Sequence, residues 1–370
     1  MPKEILLISP PLRARDGISA HSINLLRGWL SLGYVVQVAH PDIFSIKNEV
    51  QLRSEGELNE YLLSGIKIHP MDRQPDHFEQ VVIQYAISSY WLQTFLINHW
   101  LKKLSAKKRI LLCHEPSREL ALLGKFGQLI YGEAIKFSTK VCTFSQLGSE
   151  ALSKFTTHPI SMVPLSVPSL ADSPGSGGEV PHLLLFGYYL EEKGFEVGLA
   201  AVVDALRKAP NSLHLELVVS PRQRLGSARI FAFRDRRAYA KFSQKVREAA
   251  DQFPTQIVIH GYLTDRELTE LLNRTDFILL PYQAITNSGV AVTSKAHGVP
   301  VISSPLSPLR QALHNSAIFA GGMDAASWSA ELINLTSDLQ WRKIRNSLAS
   351  KAIRSRSQES ASKIAAKIIE

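Results

Sequence analysis

Residues 280–302 open Leu280-Pro281-Tyr282-Gln283-Ala284-Ile285-Thr286-Asn287-Ser288-Gly289-Val290 and close Ala296-His297-Gly298-Val299-Pro300-Val301-Ile302. An apolar strand, Phe277–Leu280, stops at Pro281. A small polar loop follows, and a helix begins near Gly289. The first backbone N–H groups of a helix have no partner within it and carry the positive end of its dipole, so this start suits an anion such as a pyrophosphate. Gly298 and Pro300 end the helix and open the next strand, Val299–Ser303. Strand, polar loop, helix and strand make one β-α-β unit, the building block of a doubly wound parallel sheet.

The same alternation extends in both directions. Toward the N-terminus, strands are predicted at Leu183–Phe186, Leu213–Val219 and Gln256–Ile259, with helices near 194–208, 235–251 and 265–273. Beyond a Pro/Gly/Ser-rich stretch, Pro164 to Pro181, the pattern repeats. Strands fall at Ile5–Ser9, Val35–Ala39, Val81–Gln84, Ile110–Cys113 and Val141–Phe144, with helices at Ser19–Leu32 and near 88–104 and 118–137. Residues 325–350 and 356–369 read as helices with no strand between them. The expectation is α/β: two doubly wound Rossmann-like domains facing a central cleft, where such sheets bind ligands. The first domain is placed at 1–165, a linker at 166–181 and the second domain at 182–350. Residues 351–370 are a C-terminal helix that can pack back on the first domain.

Composition sets the outer bounds. Of 370 residues, 45% are hydrophobic and 20% charged, which excludes disorder, collagen and coiled coil as overall classes. No apolar run approaches the roughly 18 residues of a membrane span, and the strand at Ile5 leaves no room for a signal peptide. Cys113 and Cys142 sit in apolar strands, which reads as reduced thiols in the cytoplasm. The net charge of +9 is uneven. Residues 222–247 carry +8, 102–109 carry +5 and 342–356 carry +6, leaving −10 elsewhere.

Three more segments can carry chemistry. The loop Pro10–Ser19 joins the first strand to the first helix, and Gly17 permits close approach of an anion to the helix start; a plain turn would look the same. There is no GxGxxG, so a nicotinamide fingerprint is missing. His114-Glu115-Pro116 directly follows Ile110–Cys113, at the carboxyl end of a strand. Tyr85 directly follows Val81–Gln84, at the end of another strand. No HExxH or other ligand spacing supports a metal. Finally, Leu185-Phe186-Gly187-Tyr188-Tyr189-Leu190-Glu191-Glu192-Lys193-Gly194 ends a strand and places a lysine before a helix. That lysine can neutralise a phosphate leaving group, though a surface lysine would look alike.

Gly17…His21…Leu25…Gly33-Tyr34-Val35-Val36, Phe186-Gly187…Lys193-Gly194, His260-Gly261-Tyr262-Leu263 and Pro281…Ser288-Gly289…Gly298-Val299-Pro300-Val301 fall in one order. With them the sequence resembles, over nearly its whole length, the retaining glycosyltransferases of the GT-B fold, family-four (group 1) type. The resemblance implies transfer of a hexose from a nucleotide-diphosphate sugar to a glycan or lipid-linked acceptor, in surface polysaccharide or glycolipid synthesis. The donor would be GDP-mannose or a UDP-hexose, with the mannosyltransferases tilting toward the first. It further implies no metal, and no cofactor besides the nucleotide sugar as co-substrate. By the same resemblance Gly17 approaches the donor phosphates, with Asp16 where a second glycine is usual. His114 lies near the donor sugar and Lys193 contacts the diphosphate. Asn287, Ser288 and Gly289 cover diphosphate and sugar, Leu263 and Tyr282 complete the donor pocket, and Glu115 and Tyr85 fall on the acceptor side.

Two positions depart from the family pattern. Tyr188 stands where an arginine is usual, which removes a phosphate contact worth about 1.5–3 kcal/mol; Arg222 or Arg224 could supply the missing cation. Thr293 stands where a glutamate normally holds the donor ribose. These departures keep an alternative open: a catalytically degenerate, glycosyltransferase-like binding or partner protein. The segment 222–247 also mixes Phe231, Phe233, Tyr239 and Phe242 with its basic groups, a mixture that suits an anionic acceptor and, less well, nucleic acid. Trp91, Leu92, Phe95, Leu96 and Trp100 precede the cluster Lys102–Arg109, which predicts weak contact with an anionic membrane surface, peripheral at the inner face.

Overall fold

The computed structural model describes residues 4–14, 16–40, 66–70, 78–90, 93–168, 170–221, 232–337 and 340–370. Trp91, Leu92, Arg222, Arg224 and Phe231, all singled out above, lie outside them. The chain divides into two compact units. One holds the described residues up to Pro168 together with Glu359–Glu370; the other holds those from 170 to Gln358.

The first unit is built on seven strands: β1 (Glu4–Ile8), β2 (Val35–His40), β3 (Lys67–Pro70), β4 (Phe78–Tyr85), β5 (Ala106–Cys113), β6 (Lys140–Thr143) and β7 (Ile160–Met162). They lie in the order β3-β2-β1-β4-β5-β6-β7, all pairs parallel. The order reverses at β1, between β2 and β4, the switch point of a doubly wound sheet. Both faces are covered, so the strands are apolar on both sides. Ile5 and Leu7 enter one core with Trp29, while Leu6 and Ile8 enter the other with Tyr131. The helices are α1 (Gly17–Ser31), α2 (Ile87–Tyr90), α3 (Thr94–Lys103), α4 (Pro116–Lys136) and α5 (Gln146–Ser153). α4 bends at Gly124, whose φ of 53° and ψ of −132° are not helical.

The second unit repeats the plan with β8 (His182–Tyr189), β9 (His214–Pro221), β10 (Ile257–Ile259), β11 (Phe277–Leu280), β12 (Val301–Ser303) and β13 (Ala317–Phe319). Their order is β10-β9-β8-β11-β12-β13, again all parallel, with the switch point at β8 and β11. Around them lie α6 (Phe195–Lys208), α7 (Ala232–Gln252), α8 (Asp265–Asn273), α9 (Gly289–His297), α10 (Ser307–Leu313), α11 (Ala325–Thr336) and α12 (Trp341–Gln358).

The C-terminal region differs from its sequence reading. The helix expected over 325–350 is two helices, and the final one, α13 (Ala361–Ile369), is shorter than 356–369. Residues 351–358 belong to α12 in the second unit, and only 359–370 join the first. There α13 lies along α1. Trp29 donates its indole N–H to the Ala365 carbonyl at 3.0 Å. Lys108 and Lys140 cap the last carbonyls of α13, at 2.6 Å to Ile369 and 2.9 Å to Lys367. At Gly28 the two helices leave no room for a side chain: an added Cβ would stand 2.4 Å from the Ala361 carbonyl oxygen. Gly28→Ala is expected to cost about 1–3 kcal/mol through overpacking, read from the urea midpoint.

The stretch expected to be a linker is fastened down where it is described. Ser173 Oγ donates to the Leu272 carbonyl at 2.8 Å, and Ser176 N–H donates to Asp276 Oδ1 at 3.0 Å. Arg345 donates to the Ser173 carbonyl at 2.7 Å. Its Pro, Gly and Ser content reflects tight turns against the second unit rather than a loose tether.

Candidate donor site

In the second unit the carboxyl ends of β8 and β11 lie at the switch point. Gly187, near the end of β8, has a positive φ of 129°, and a short 3-10 turn, Glu191–Lys193, follows the strand. Gly194, with φ 61°, closes the turn and starts α6. The loop after β11 is tied to this turn: Gln283 and Ala284 donate their N–H groups to the Glu192 carbonyl at 2.7 and 3.1 Å. Lys193 therefore sits beside Tyr282, its ammonium 5.8 Å from the ring centroid and 3.4 Å from where a Cβ on Gly187 would be. Tyr282 is buried, and burial pushes its hydroxyl up to about 12.

α9 begins next to this pair. Its N-cap Ser288 accepts the Ala291 N–H at 3.1 Å, and there is no acidic residue in its first turn. The dipole end thus meets a neutral hydroxyl and no carboxylate of its own. A Cβ on Gly289 would meet nothing within 4 Å, so packing does not explain the glycine. Asn287 and Tyr188 are half-buried, and Leu263 packs against the core that holds Phe186 and Tyr282. Thr293 turns back on its own helix and donates to the Gly289 carbonyl at 3.1 Å.

The α1 start is built differently. Asp16 Oδ1 accepts the N–H groups of Ile18 and Ser19 at 2.8 and 2.9 Å. A carboxylate of the protein thus already occupies the helix end proposed for a donor phosphate at Gly17. Gly17 itself is exposed, with open space where a Cβ would go.

His114 lies at the carboxyl end of β5, buried, with its Nε2 2.5 Å from Gln84 Oε1. His21 of α1 reaches the same amide, its Nδ1 3.3 Å from Gln84 Nε2. The two imidazoles and Phe144 cluster at ring distances of 4.7–5.4 Å. Burial pushes His21 down to about 4; burial, and then the neighbouring His21, push His114 well below its ordinary value. Gln84 and Phe144 were not among the sequence candidates. The available signal was a polar residue, Gln84, at the end of an apolar strand.

Glu115 is the N-cap of α4, half-buried and paired with Arg118 at 3.4 Å. Tyr85 does not face an acceptor. It is fully buried, and its hydroxyl donates to Asn98 Oδ1 at 2.8 Å. Alternation along β4 explains this: Gln84 and Tyr85 point to opposite faces, and Tyr85 points into the core.

Much of the basic charge is structural. In the 342–356 patch, Arg342 donates to the Gly178 carbonyl, Arg345 to Ser173, and Arg356 pairs with Asp172 at 2.8 Å. In the 102–109 patch, Lys108 holds α13, and Arg109 donates to the Phe137 carbonyl at 2.6 Å. On α7, Phe242 is buried and stacks on Tyr189, and Tyr239 donates to the Val219 carbonyl. Those two aromatics face the core and are not presented to nucleic acid. Cys113 and Cys142 are buried and unpaired. Among the described residues, no group of three or more His, Cys, Asp or Glu is placed to hold a metal ion.

His297, buried on α9, is also pushed down to about 4, by burial first and then by Arg356. For such groups the unfolded chain takes up protons before the native one does, so stability is lost as pH falls from about 6.5 toward 4. His21 and His297 each contribute a loss of about 3 kcal/mol over that window. Urea midpoints between pH 7 and pH 4 check it: a midpoint constant down to pH 5 would contradict neutral burial.

Residues 180–338 match the family model described as Glycosyl transferases group 1. Among solved structures, the chain is similar to the sucrose-phosphate synthase from Thermosynechococcus elongatus, with TM-score 0.69 and 14% identity over 99% of this chain and 97% of that one. It is similar to HepE of Anabaena in complex with UDP-glucose, with TM-score 0.67 and 12% identity over 99% and 98%. It is also similar to the E. coli trehalose-6-phosphate structure bound with UDP-2-fluoro glucose, with TM-score 0.65 and 12% identity over 99% and 98%. At these identities the likeness establishes the fold. No curated protein matches the chain in a sequence search.

Proposed function

We propose that this GT-B-fold chain, whose residues 180–338 match the glycosyl transferases group 1 model, is a retaining glycosyltransferase that moves a hexose from a nucleotide-diphosphate sugar to a glycan or lipid-linked acceptor. The observation that carries the reading is at the switch point of the second unit. A lysine and the start of a helix with no acidic first turn converge where doubly wound sheets bind ligands. As the sugar–phosphate bond breaks, negative charge builds on the diphosphate. The Lys193 ammonium and the α9 dipole stabilise it, an electrostatic role that needs no proton transfer. Gly289 leaves room for the phosphates to approach the backbone, and Tyr282, held against Lys193, limits water at the leaving group. By resemblance, His114 serves the sugar end, and the reaction runs without a metal.

HepE and the E. coli structure hold UDP-sugars, which makes a UDP-hexose the first donor to test and GDP-mannose the second. A thermal-shift panel of nucleotide sugars is the direct experiment. A donor at 100 times its Kd stabilises the native state by about 2.7 kcal/mol. If no nucleotide sugar raises Tm, the reading fails. The degenerate alternative draws on Thr293, whose hydroxyl is spent on the Gly289 carbonyl and does not replace a ribose-binding carboxylate. It predicts binding without donor hydrolysis or transfer.

The acceptor side is proposed to meet an anionic membrane surface from the cytoplasmic face. The support is an apolar patch on α3 and α4. Phe95 and Phe126 lie 6.1 Å apart, and Leu122 and Leu129 are 80% and 72% exposed, with Lys102, Lys103 and Lys125 nearby in sequence. The triple variant L122S/F126S/L129S is expected to abolish flotation with vesicles containing phosphatidylglycerol, while stability changes by only about 0.5 kcal/mol per site. Unchanged flotation would remove the membrane from this proposal. Among the described residues no helix is long and apolar enough to cross a membrane.

A further inference from the structure

A cavity of about 600 Å³ lies at β13, the edge strand of the second sheet. Its size falls in the range of small-molecule sites. Ala317 and Phe319 alternate along β13 and share one face, and with Leu348 of α12 they form the apolar part of the wall. The polar part is Arg310, His314, Asn315 and Lys351, and no Asp or Glu lines it. None of these residues belongs to the donor site, and β13 stands two strands away from β11. Lys351 comes from the basic 342–356 patch. Arg342, Arg345 and Arg356 of that patch are spent on carbonyls and on Asp172, whereas Lys351 lines the cavity.

The cavity is built to hold its arginine still. The Arg310 guanidinium carbon lies 4.5 Å from the Phe319 ring centroid, and Nε donates to the Pro305 carbonyl at 3.2 Å. Ring and carbonyl fix the plane of the fork, and among the described residues its Nη groups donate to none. The carboxyl end of α10 would repel an anion, but its carbonyls are occupied. Arg310 O accepts the His314 N–H at 2.9 Å, and Leu313 O accepts the N–H and Oγ of Ser316 at 3.0 and 2.6 Å. His314 makes this turn at φ 47° and ψ −122°, a backbone that favours glycine. Strain of this kind at a side chain concentrates at ligand sites. We propose that the cavity binds a small phosphorylated molecule, with Arg310 and Lys351 on its phosphate and Asn315 and the apolar wall against its body. Two cations without a carboxylate between them suit a phosphate dianion better than a single carboxylate. The site stands whether or not the glycosyltransferase reading does.

The test titrates the full chain, in phosphate-free buffer, with inorganic phosphate and ribose 5-phosphate by isothermal calorimetry, with Tm as the second readout. Both are expected to bind, ribose 5-phosphate the more tightly, and ribose and acetate are not. R310Q/K351Q is expected to weaken ribose 5-phosphate by about tenfold for each cation removed; K193A is expected to leave it unchanged. K351Q alone carries the test should the double variant not fold. Absence of binding by either phosphate, equal binding of acetate, or binding that survives in R310Q/K351Q overturns the site. Loss of binding in K193A would place the probe in the donor site and overturns it too. Vesicles of phosphatidic acid offer the same group on a lipid. Flotation that R310Q/K351Q abolishes, without ribose 5-phosphate binding, would assign the cavity to a headgroup and overturn the small-molecule proposal. Failure of every nucleotide sugar to bind would count against the donor site and leave this one standing.

Discussion

Gly194→Ala is expected to be the most damaging small substitution in the second unit, costing about 3 kcal/mol or more and weakening donor binding with it. Two effects add. The backbone is left-handed at φ 61°, a conformation that costs a residue with a Cβ about 1–2 kcal/mol. The new Cβ would also stand 1.9 Å from the Pro281 carbonyl oxygen, a backbone atom that a rotamer change cannot move. Relief requires separating the Glu191–Lys193 turn from the loop after β11, and two hydrogen bonds to the Glu192 carbonyl hold that contact together. Lys193 and Tyr282 would part with it, so the stability loss and the loss of donor affinity come from one displacement. Gly289→Ala is the control. Nothing lies within 4 Å of its Cβ position, so stability should hold within about 0.5 kcal/mol while donor binding falls. Urea midpoints at constant m check the first part and nucleotide-sugar thermal shifts the second. A Gly194→Ala protein as stable as the parent would mean that the turn and loop are not held together as described.

The architecture was legible because doubly wound sheets write themselves as short apolar runs buried on both faces. Phe277–Leu280 is legible to the residue and the helix near 289–297 closely, since Pro281, Ser288 and Gly298 punctuate them. β13 is not legible in the sequence, because Ala317–Phe319 is three residues long, too short for any period. The break between α11 and α12 was missed because Thr336 to Trp341 contains neither Gly nor Pro. At the sites, sequence identified residue types but not their partners. Gly17 reads in sequence as an anion site, whereas in the fold Asp16 fills the helix end. Tyr85 and Gln84 are adjacent in sequence and opposite in the sheet, and the one chosen for an acceptor was the one facing the core. Basic patches were counted as charge, whereas Lys108, Arg345 and Arg356 spend theirs on carbonyls and carboxylates contributed by distant parts of the chain. Spacing along the chain carries periodicity; it does not carry which group a long side chain reaches.

Lys193 concentrates the functional reading in a single side chain, and its removal has the largest expected effect on rate. Lys193→Ala should lower kcat by about 10²–10³, the loss typical of a preorganised group aimed at charge that develops in the transition state. The argument depends on which state the ammonium serves. In the proposed complex the donor diphosphate is already charged, and the α9 start and Gly289 backbone would still meet it, so KM should rise less than kcat falls. Once the sugar–phosphate bond breaks, the leaving oxygen takes on new charge, and on the proposed reading the Lys193 ammonium is the full positive charge that offsets it without reorganising, alongside the α9 dipole. Tyr282 keeps that cation in place, and its ring interaction is worth about 0.5–1 kcal/mol at such sites. Lys193→Arg should not restore the rate, because a planar fork is not a point charge on a flexible stem. If the resemblance places Tyr188, where that family has an arginine, beside the donor diphosphate, the dependence on Lys193 is expected to be heavier, because one less cation is encoded there. Steady-state kinetics with a UDP-hexose, together with a melting curve matched to the parent, separate this effect from a folding defect. A Lys193→Ala protein with parental kcat would assign leaving-group stabilisation to other groups and leave the lysine a structural neighbour of Tyr282.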